Sequence, residues 1–200
     1  MAAMNLYAAV EDELSQAVLL KILENLTIPI TPVKVLCKGG NGYLRSKVSN
    51  WAKLAMTADT AVVVLTDLDR TACPIELKND WLNGVSVTDR FCLRIAVRSI
   101  ESWLLSDRDA LAEFFNVASL PHAPDDLPEP KTRLLIAAKR AKKEIRQDLI
   151  KLEGAQISQG MSYNNRMSKW VNESWDPLRA SQNSPSLLRT INRLNTALCG

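Results

Sequence analysis

The chain has 200 residues, 46% of them hydrophobic and 24% charged, with a net charge of +3; that length and balance describe one good-sized globular domain, or one domain plus a small appendage. No apolar run approaches the roughly 18 residues that span a bilayer, and the start, Met1 to Tyr7, has no basic segment ahead of a long apolar one, so a cytoplasmic protein without a signal peptide or membrane contact is expected. Four scattered cysteines (Cys37, Cys73, Cys92, Cys199) and a single histidine, His122, offer no zinc ligand set, no disulfide framework and no Ser–His or Cys–His pair.

Along the chain, Leu6–Val10 reads as a buried strand, and Leu14–Leu26 carries apolar residues at helical spacing. Val33–Leu36 is a second strand, closed by the turn Gly39-Gly-Asn-Gly42, which lacks the Gly-Lys-Ser/Thr of a Walker loop. A helix over 43–56 leads to Ala61-Val-Val-Val-Leu-Thr66, a run without alternation that suits a strand covered on both faces. A helix near 75–82, a strand at 91–97 and a helix over 100–115 follow. Strand–helix alternation of this kind predicts an α/β fold with a mainly parallel, Rossmann-like sheet flanked by helices.

Four prolines within residues 121–130 mark a linker or boundary loop, expected over 119–130 between a domain of residues 1–118 and a helical third of residues 131–200. In that third a helix is expected over 131–153, and Ser184-Pro185 supplies an N-cap and N1 proline for a last one. Residues 1–130 hold 12 Lys and Arg against 17 Asp and Glu, whereas residues 131–200 hold 13 against 5. An acidic body with a basic tail suits a metal site beside a surface that meets polyanions. Within the tail, Lys139, Arg140, Lys142 and Lys143 form a basic stretch in a helical pattern, suited to non-specific phosphate contact. Trp51, Trp81 and Trp103 are expected in the core, as are Trp170 and Trp175.

In a parallel α/β sheet, ligands bind beyond the carboxyl ends of the strands. Glu11 stands there after the first strand, Asp67 and Asp69 after the central one, and Glu101 and Asp107 beyond the last. Like charges gathered in this way cost stability unless cations join them. Hard carboxylate oxygens select Mg²⁺ or Mn²⁺.

The order strand–Glu11–helix, glycine turn, helix, strand–Asp67-Leu-Asp69 resembles the TOPRIM domain shared by topoisomerases, bacterial primases and OLD-type nucleases. The later segment Ile100-Glu-Ser-Trp-Leu-Leu-Ser-Asp107 is similar to small TOPRIM-like proteins, some of them encoded beside an ABC-type ATPase in bacterial defence loci. The resemblance covers residues 4–115. It implies a metal-dependent endonuclease that cuts DNA or RNA, acting as an anti-phage effector under a partner ATPase. Glu11 then corresponds to the first-strand glutamate, a metal ligand or general acid/base. Asp67 and Asp69 correspond to the metal-binding pair, and Glu101 and Asp107 to ligands of a second ion. Arg70, Arg98 and Lys131 are the cations expected near a scissile phosphate. Asp12 departs from the usual glycine after the glutamate, and no tyrosine nucleophile with a DNA-gate domain is evident, which argues against a topoisomerase.

Two rival readings stand beside this one. Asp67-Leu-Asp69-Arg-Thr71 fits the DxDxT signature of haloacid dehalogenase-type phosphatases, whose motif ends a first strand and not a later one. A non-catalytic docking subunit is the second.

Overall fold

The apolar run around Val62–Val64 lies at the middle of the sheet, as a strand buried on both faces must. A computed structural model of the chain describes residues 4–154 and 156–199. It comprises β1 (Asn5–Val10), α1 (Glu13–Glu24), β2 (Lys34–Cys37), α2 (Gly40–Leu54), β3 (Thr60–Asp67), α3 (Pro74–Trp81) and β4 (Phe91–Ala96), the expected alternation with ends shifted by a few residues. The four strands are all parallel, in the order β2-β1-β3-β4. Side chains alternate across the strands. Leu6, Ala8 and Val10 of β1 with Val63 and Leu65 of β3 join one core, against α1. Val62 and Val64 join another, with Leu44, Val48 and Trp51 of α2 and Trp81 of α3.

The helix expected over 100–115 is two, α4 (Ile100–Ser106) and α5 (Arg108–Phe115). Asp107 leaves helical geometry at φ −84°, ψ 67°. The helix expected over 131–153 is also broken: α6 (Pro130–Ala138) and α7 (Lys143–Leu149) are followed by a hairpin of β5 (Ile150–Glu153) and β6 (Gln156–Gln159). Gly154, at φ 61°, takes the left-handed backbone the hairpin turn needs. Gly160 then passes so close to α7 that a Cβ there would fall on the Asp148 carbonyl oxygen. The chain continues through α8 (Tyr163–Glu173), α9 (Pro177–Ser181) and α10 (Pro185–Cys199).

These later helices share the α1 core, which runs from Leu6 to Leu198. Trp103, Tyr163 and Trp175 are among its largest fully buried side chains. A buried side chain of such size contributes about 1.5–3 kcal/mol by the hydrophobic effect. Their polar atoms are matched: Trp103 Nε1 donates to Ser186 Oγ at 2.7 Å, and Trp175 Nε1 to the Trp103 carbonyl at 3.2 Å. Trp170 stacks on Phe114 at 5.8 Å, so all five tryptophans pack in core, as expected. Among the described residues no helix is long and apolar enough to cross a membrane.

The proline-rich stretch is docked at intervals, with Leu120, Pro124 and Pro130 buried. Asp125 fastens it to the start of α10, accepting from Ser184 Oγ and Ser186 N, both at 2.8 Å. Ser184 Oγ in turn accepts from Leu187 N at 3.2 Å, the cap read from the Ser-Pro pair. Losing a helix-capping acceptor costs about 1–2 kcal/mol, so Asp125→Ala is expected to lower unfolding free energy by about that amount. Urea titration of the two proteins checks it. An unchanged midpoint would mean that the stretch is not held through Asp125.

Candidate functional site

The connection β1–α1–β2 runs to one side of the sheet and β3 lies on the other side of β1. The carboxyl ends of β1 and β3 therefore flank a topological switch point, where sheets of this class bind ligands. The register pairs Val10 with Leu65, which sets Glu11 beside the end of β3. Glu11 Oε1 accepts from Thr66 Oγ1 at 2.5 Å and from Asp67 N at 2.8 Å. Asn41 Nδ2, in the first turn of α2, donates to Thr66 Oγ1 at 3.3 Å. Asp12 caps α1 by accepting from Ser15 N at 2.8 Å.

Glu101, 1% exposed, closes the site from the β4 side. Its Oε2 accepts from Ser99 Oγ at 2.6 Å. Its Oε1 accepts from Tyr163 OH at 3.1 Å and pairs with Lys131 Nζ at 3.2 Å. The Lys131 ammonium also lies 5.5 Å from the centre of the Tyr163 ring, within reach of a cation–π attraction. Lys131 thus returns to the strand ends from beyond the proline-rich stretch, where its number alone would not place it. Tyr163, Ser99, Thr66 and Asn41 carry no motif that marks them in the sequence; only their contacts do.

Asp67 differs from Glu11 and Glu101. Among the described residues none donates a hydrogen bond to its carboxylate and none pairs with it. Burial pushes its pKa well above the ordinary carboxylate range, and the charges of Glu101, Glu11, Asp69 and Asp12 push it the same way. Glu11 is raised as well, by burial and then by Asp69 and Asp12, against the hydrogen bonds from Thr66 and Asp67 N. For Lys131 burial acts to lower the pKa, but the charge and hydrogen bond of Glu101 outweigh it and the net shift is upward. Burial and the Glu101 charge hold the Tyr163 phenol well above its usual value, so it stays protonated and donates.

Asp67, Asp69, Arg70, Arg98 and Lys131 all line one open cleft of about 950 Å³. Two of its residues are non-glycines in left-handed backbone, Asp69 at φ 51° and Arg98 at φ 63°. Such a conformation costs roughly 1–2 kcal/mol per residue and is retained where the surroundings impose it, often at functional sites. Here the two loops hold one another: Asp69 N donates to the Arg98 carbonyl at 2.8 Å, and Arg98 Nη1 donates to the carbonyls of Asp69 at 3.1 Å and Thr71 at 3.0 Å. Arg98 therefore braces the turn after β3. Arg70 is exposed at the mouth.

Two expectations are corrected. Asp107 is not with the other carboxylates: it is fully buried and accepts from Arg179 Nε at 2.5 Å, Arg179 Nη2 at 2.7 Å and Asp176 N at 2.9 Å. Those donors satisfy it, and its place is to tie α9 to the break between α4 and α5. Lys139, Arg140, Lys142 and Lys143 do not form a helical stripe. Lys139 and Arg140 occupy the turn after α6, and Lys142 is the residue before α7. None of the four lines the carboxylate cleft, and Lys142 borders a separate cavity with Asp109 and Glu113.

Over residues 10–194 the sequence matches the family described as Domain of unknown function (DUF4276). The chain belongs to that family. No curated protein and no solved structure matches it. The match runs from the end of β1 into α10, so the family unit includes Lys131 and Tyr163 together with the strand-end carboxylates.

The donors at the strand ends are all hard oxygens, which suit Mg²⁺ or Mn²⁺ and not softer metals. Among the described residues no three His, Cys, Asp or Glu side chains form a group that encloses an ion unaided. Mg²⁺ commonly takes only one or two carboxylates and completes its shell with water and phosphate oxygens. The unpartnered Asp67 carboxylate and the Oε2 atom of Glu11 fit that sparser mode. An acid whose folded pKa lies above its unfolded one binds more protons when folded, so its contribution destabilises the fold as pH rises through that interval. Asp67→Asn removes the repulsion. In EDTA at pH 7 the variant is expected to melt above wild type, with the difference vanishing below about pH 4, where an unperturbed Asp is itself protonated. Calorimetry across that range checks it; a wild type more stable at pH 7 would refute the crowding.

Proposed function

We propose that this chain is a TOPRIM-like, Mg²⁺- or Mn²⁺-dependent nuclease that hydrolyses phosphodiester bonds of DNA or RNA. The observation that carries the reading is the half-buried Asp67 carboxylate at the switch point, without a partner among the described residues, in a cleft whose other walls present Asp69, Arg70 and Lys131. Glu11 and Asp67 would hold the ion, with Asp69 beside them. When bound, the ion lowers the pKa of a coordinated water and offsets charge on the phosphate.

The protein's own side chains supply the rest. Lys131 stays charged beside Glu101 and sets a positive group on the cleft wall, where it stabilises charge developing on the phosphoryl oxygens. Glu101 and Tyr163 position that ammonium. Thr66 and the Asp67 amide hold one Glu11 oxygen, which leaves the other for the ion. Arg70 at the mouth meets a flanking phosphate. Water's oxygen bonds to phosphorus, the ester P–O bond breaks, and the departing oxygen takes up a proton. A phosphatase reading centred on Asp67 alone leaves Glu11, Glu101 and Lys131 idle. Control by an ABC-type ATPase partner belongs to the proposal through the resemblance of the Ile100–Asp107 segment to defence-locus proteins.

The test is cleavage of labelled single- and double-stranded DNA and of RNA, with Mg²⁺, Mn²⁺ or EDTA, alone and with an ATPase encoded in the same locus. Cleavage is expected only with divalent metal. Asp67→Asn and Glu11→Gln should each lower it at least about 100-fold, since even outer-shell losses at metal sites cost 10- to 100-fold. Lys131→Ala should lower the rate by about 10²- to 10³-fold, the range for losing one preorganised group that stabilises transition-state charge. Activity that persists in EDTA, or in both carboxylate variants, would sink the mechanism. Phosphate release from small monoesters through an adduct on Asp67 would favour the phosphatase, and inactivity in every arm the docking subunit.

A further inference from the structure

Beside the carboxylate cleft lies a second cavity of about 590 Å³ with the opposite charge. Lys78 of α3, Arg94 of β4 and Arg189 of α10 line it. Lys78 and Arg94 also border an adjoining hollow of about 180 Å³, to which Arg193 of α10 contributes. Four cations from three elements therefore meet at the β4 edge of the sheet, where among the described residues no further strand lies beside β4.

Their partners do not balance them. Among the described residues the one carboxylate that pairs with any of the four is Asp89, 3.5 Å from Arg193 and fully exposed. The half-buried Arg94 turns both Nε and Nη2 toward Thr190 Oγ1 at 3.4 Å, a neutral acceptor that leaves the charge uncompensated. Burial lowers the pKa of Lys78, and the charges of Arg94 and Arg193 lower it further. Burial lowers that of Arg94 as well, with Arg193 and Arg189 adding to it. Cations crowded in this way cost stability unless an anion joins them. A guanidinium presents its donors in a planar fork that matches phosphate oxygens, and a lysine beside it adds a point charge.

We infer that the Lys78–Arg94–Arg189 cavity is a binding site for a phosphate group. The inference does not rest on the cleavage reading, since it needs only the cations and the cavity. The two sites are nevertheless neighbours: Thr71 and Arg98 face the carboxylate cleft, while Cys73 and Val97, one or two residues away on the same loops, face the cationic cavity. A nucleic-acid strand long enough to leave the cleft at the Thr71 and Arg98 side would bring its next phosphates to these cations. A small phosphorylated ligand offers the same oxyanion.

Titration calorimetry in EDTA, with inorganic pyrophosphate and separately with a short single-stranded oligonucleotide, tests the site and separates the two sources. Binding of both probes, or of either, supports it; the oligonucleotide alone assigns the site to a polymer backbone, and pyrophosphate alone to a small ligand. Arg189 is exposed, so Arg189→Ala is the variant that does not endanger the fold. It should weaken binding by about tenfold or more, the worth of one hydrogen bond to a charged group, and should melt at or above the wild-type temperature without ligand. Adding Lys78→Ala should flatten the salt dependence of oligonucleotide binding, by about 0.7 in logarithmic slope for each phosphate that is no longer neutralised. Lys131→Ala, in the other cleft, should leave pyrophosphate binding unchanged. If neither probe binds, if binding survives the Arg189 and Lys78 substitutions, or if it is lost on Lys131→Ala alone, the inference is overturned.

Discussion

A negative charge half-buried at the end of a parallel strand, with other negative charges around it, is an expensive arrangement in any protein. Water is excluded, the effective dielectric falls, and repulsion between carboxylates grows accordingly. Around Asp67 the chain relieves Glu11, Glu101 and Asp12 but neither Asp67 nor the exposed Asp69. Glu11 is met by Thr66 and a backbone amide, Glu101 by Ser99, Tyr163 and Lys131, and Asp12 by the start of α1. Asp67 and Asp69 are left facing a cleft wide enough for a substituent larger than water. Selective satisfaction of this kind separates a site from a mere excess of acid.

The helical third of the chain is part of that arrangement. Lys131 and Tyr163 both lie beyond the alternating strand–helix region, and both end on the same Glu101 oxygen. Trp103, two residues after Glu101 on α4, donates to Ser186 at the start of α10. One short helix therefore carries the buried glutamate and anchors the last helix as well. The family match reaches from residue 10 to residue 194 and so spans the prolines.

Much of this was legible in the residues, for identifiable reasons. The unalternating Val62–Val64 run allows few structures other than a central strand, and once the strands are parallel the switch-point rule places Glu11 and Asp67 at one edge. Spacing failed where a partner lies far along the chain. Asp107 shares the acidic character of a ligand, and nothing near it in sequence reveals Arg179, 72 residues away. The β5–β6 hairpin was hidden because its charged, long side chains also suit a helix, and Gly154 is the sole turn signal in a segment where each strand has only four residues. Tyr163 belongs to no motif. Its role comes from the close passage at Gly160, which delivers the start of α8 to Glu101.

Synthesis of the chain from its N-terminus gives the Glu101 contacts a temporal meaning. The sheet and all its carboxylates leave the ribosome before α6 and α8 exist, so for that interval Glu101 has Ser99 but neither Lys131 nor Tyr163. A bare carboxylate is costly in a dry core, so α4 gains the stabilisation of these contacts only once the later helices are made. The nascent protein thus displays an acidic edge with no lysine set against it, and the cleft takes its final form only when nearly the whole polypeptide has been made.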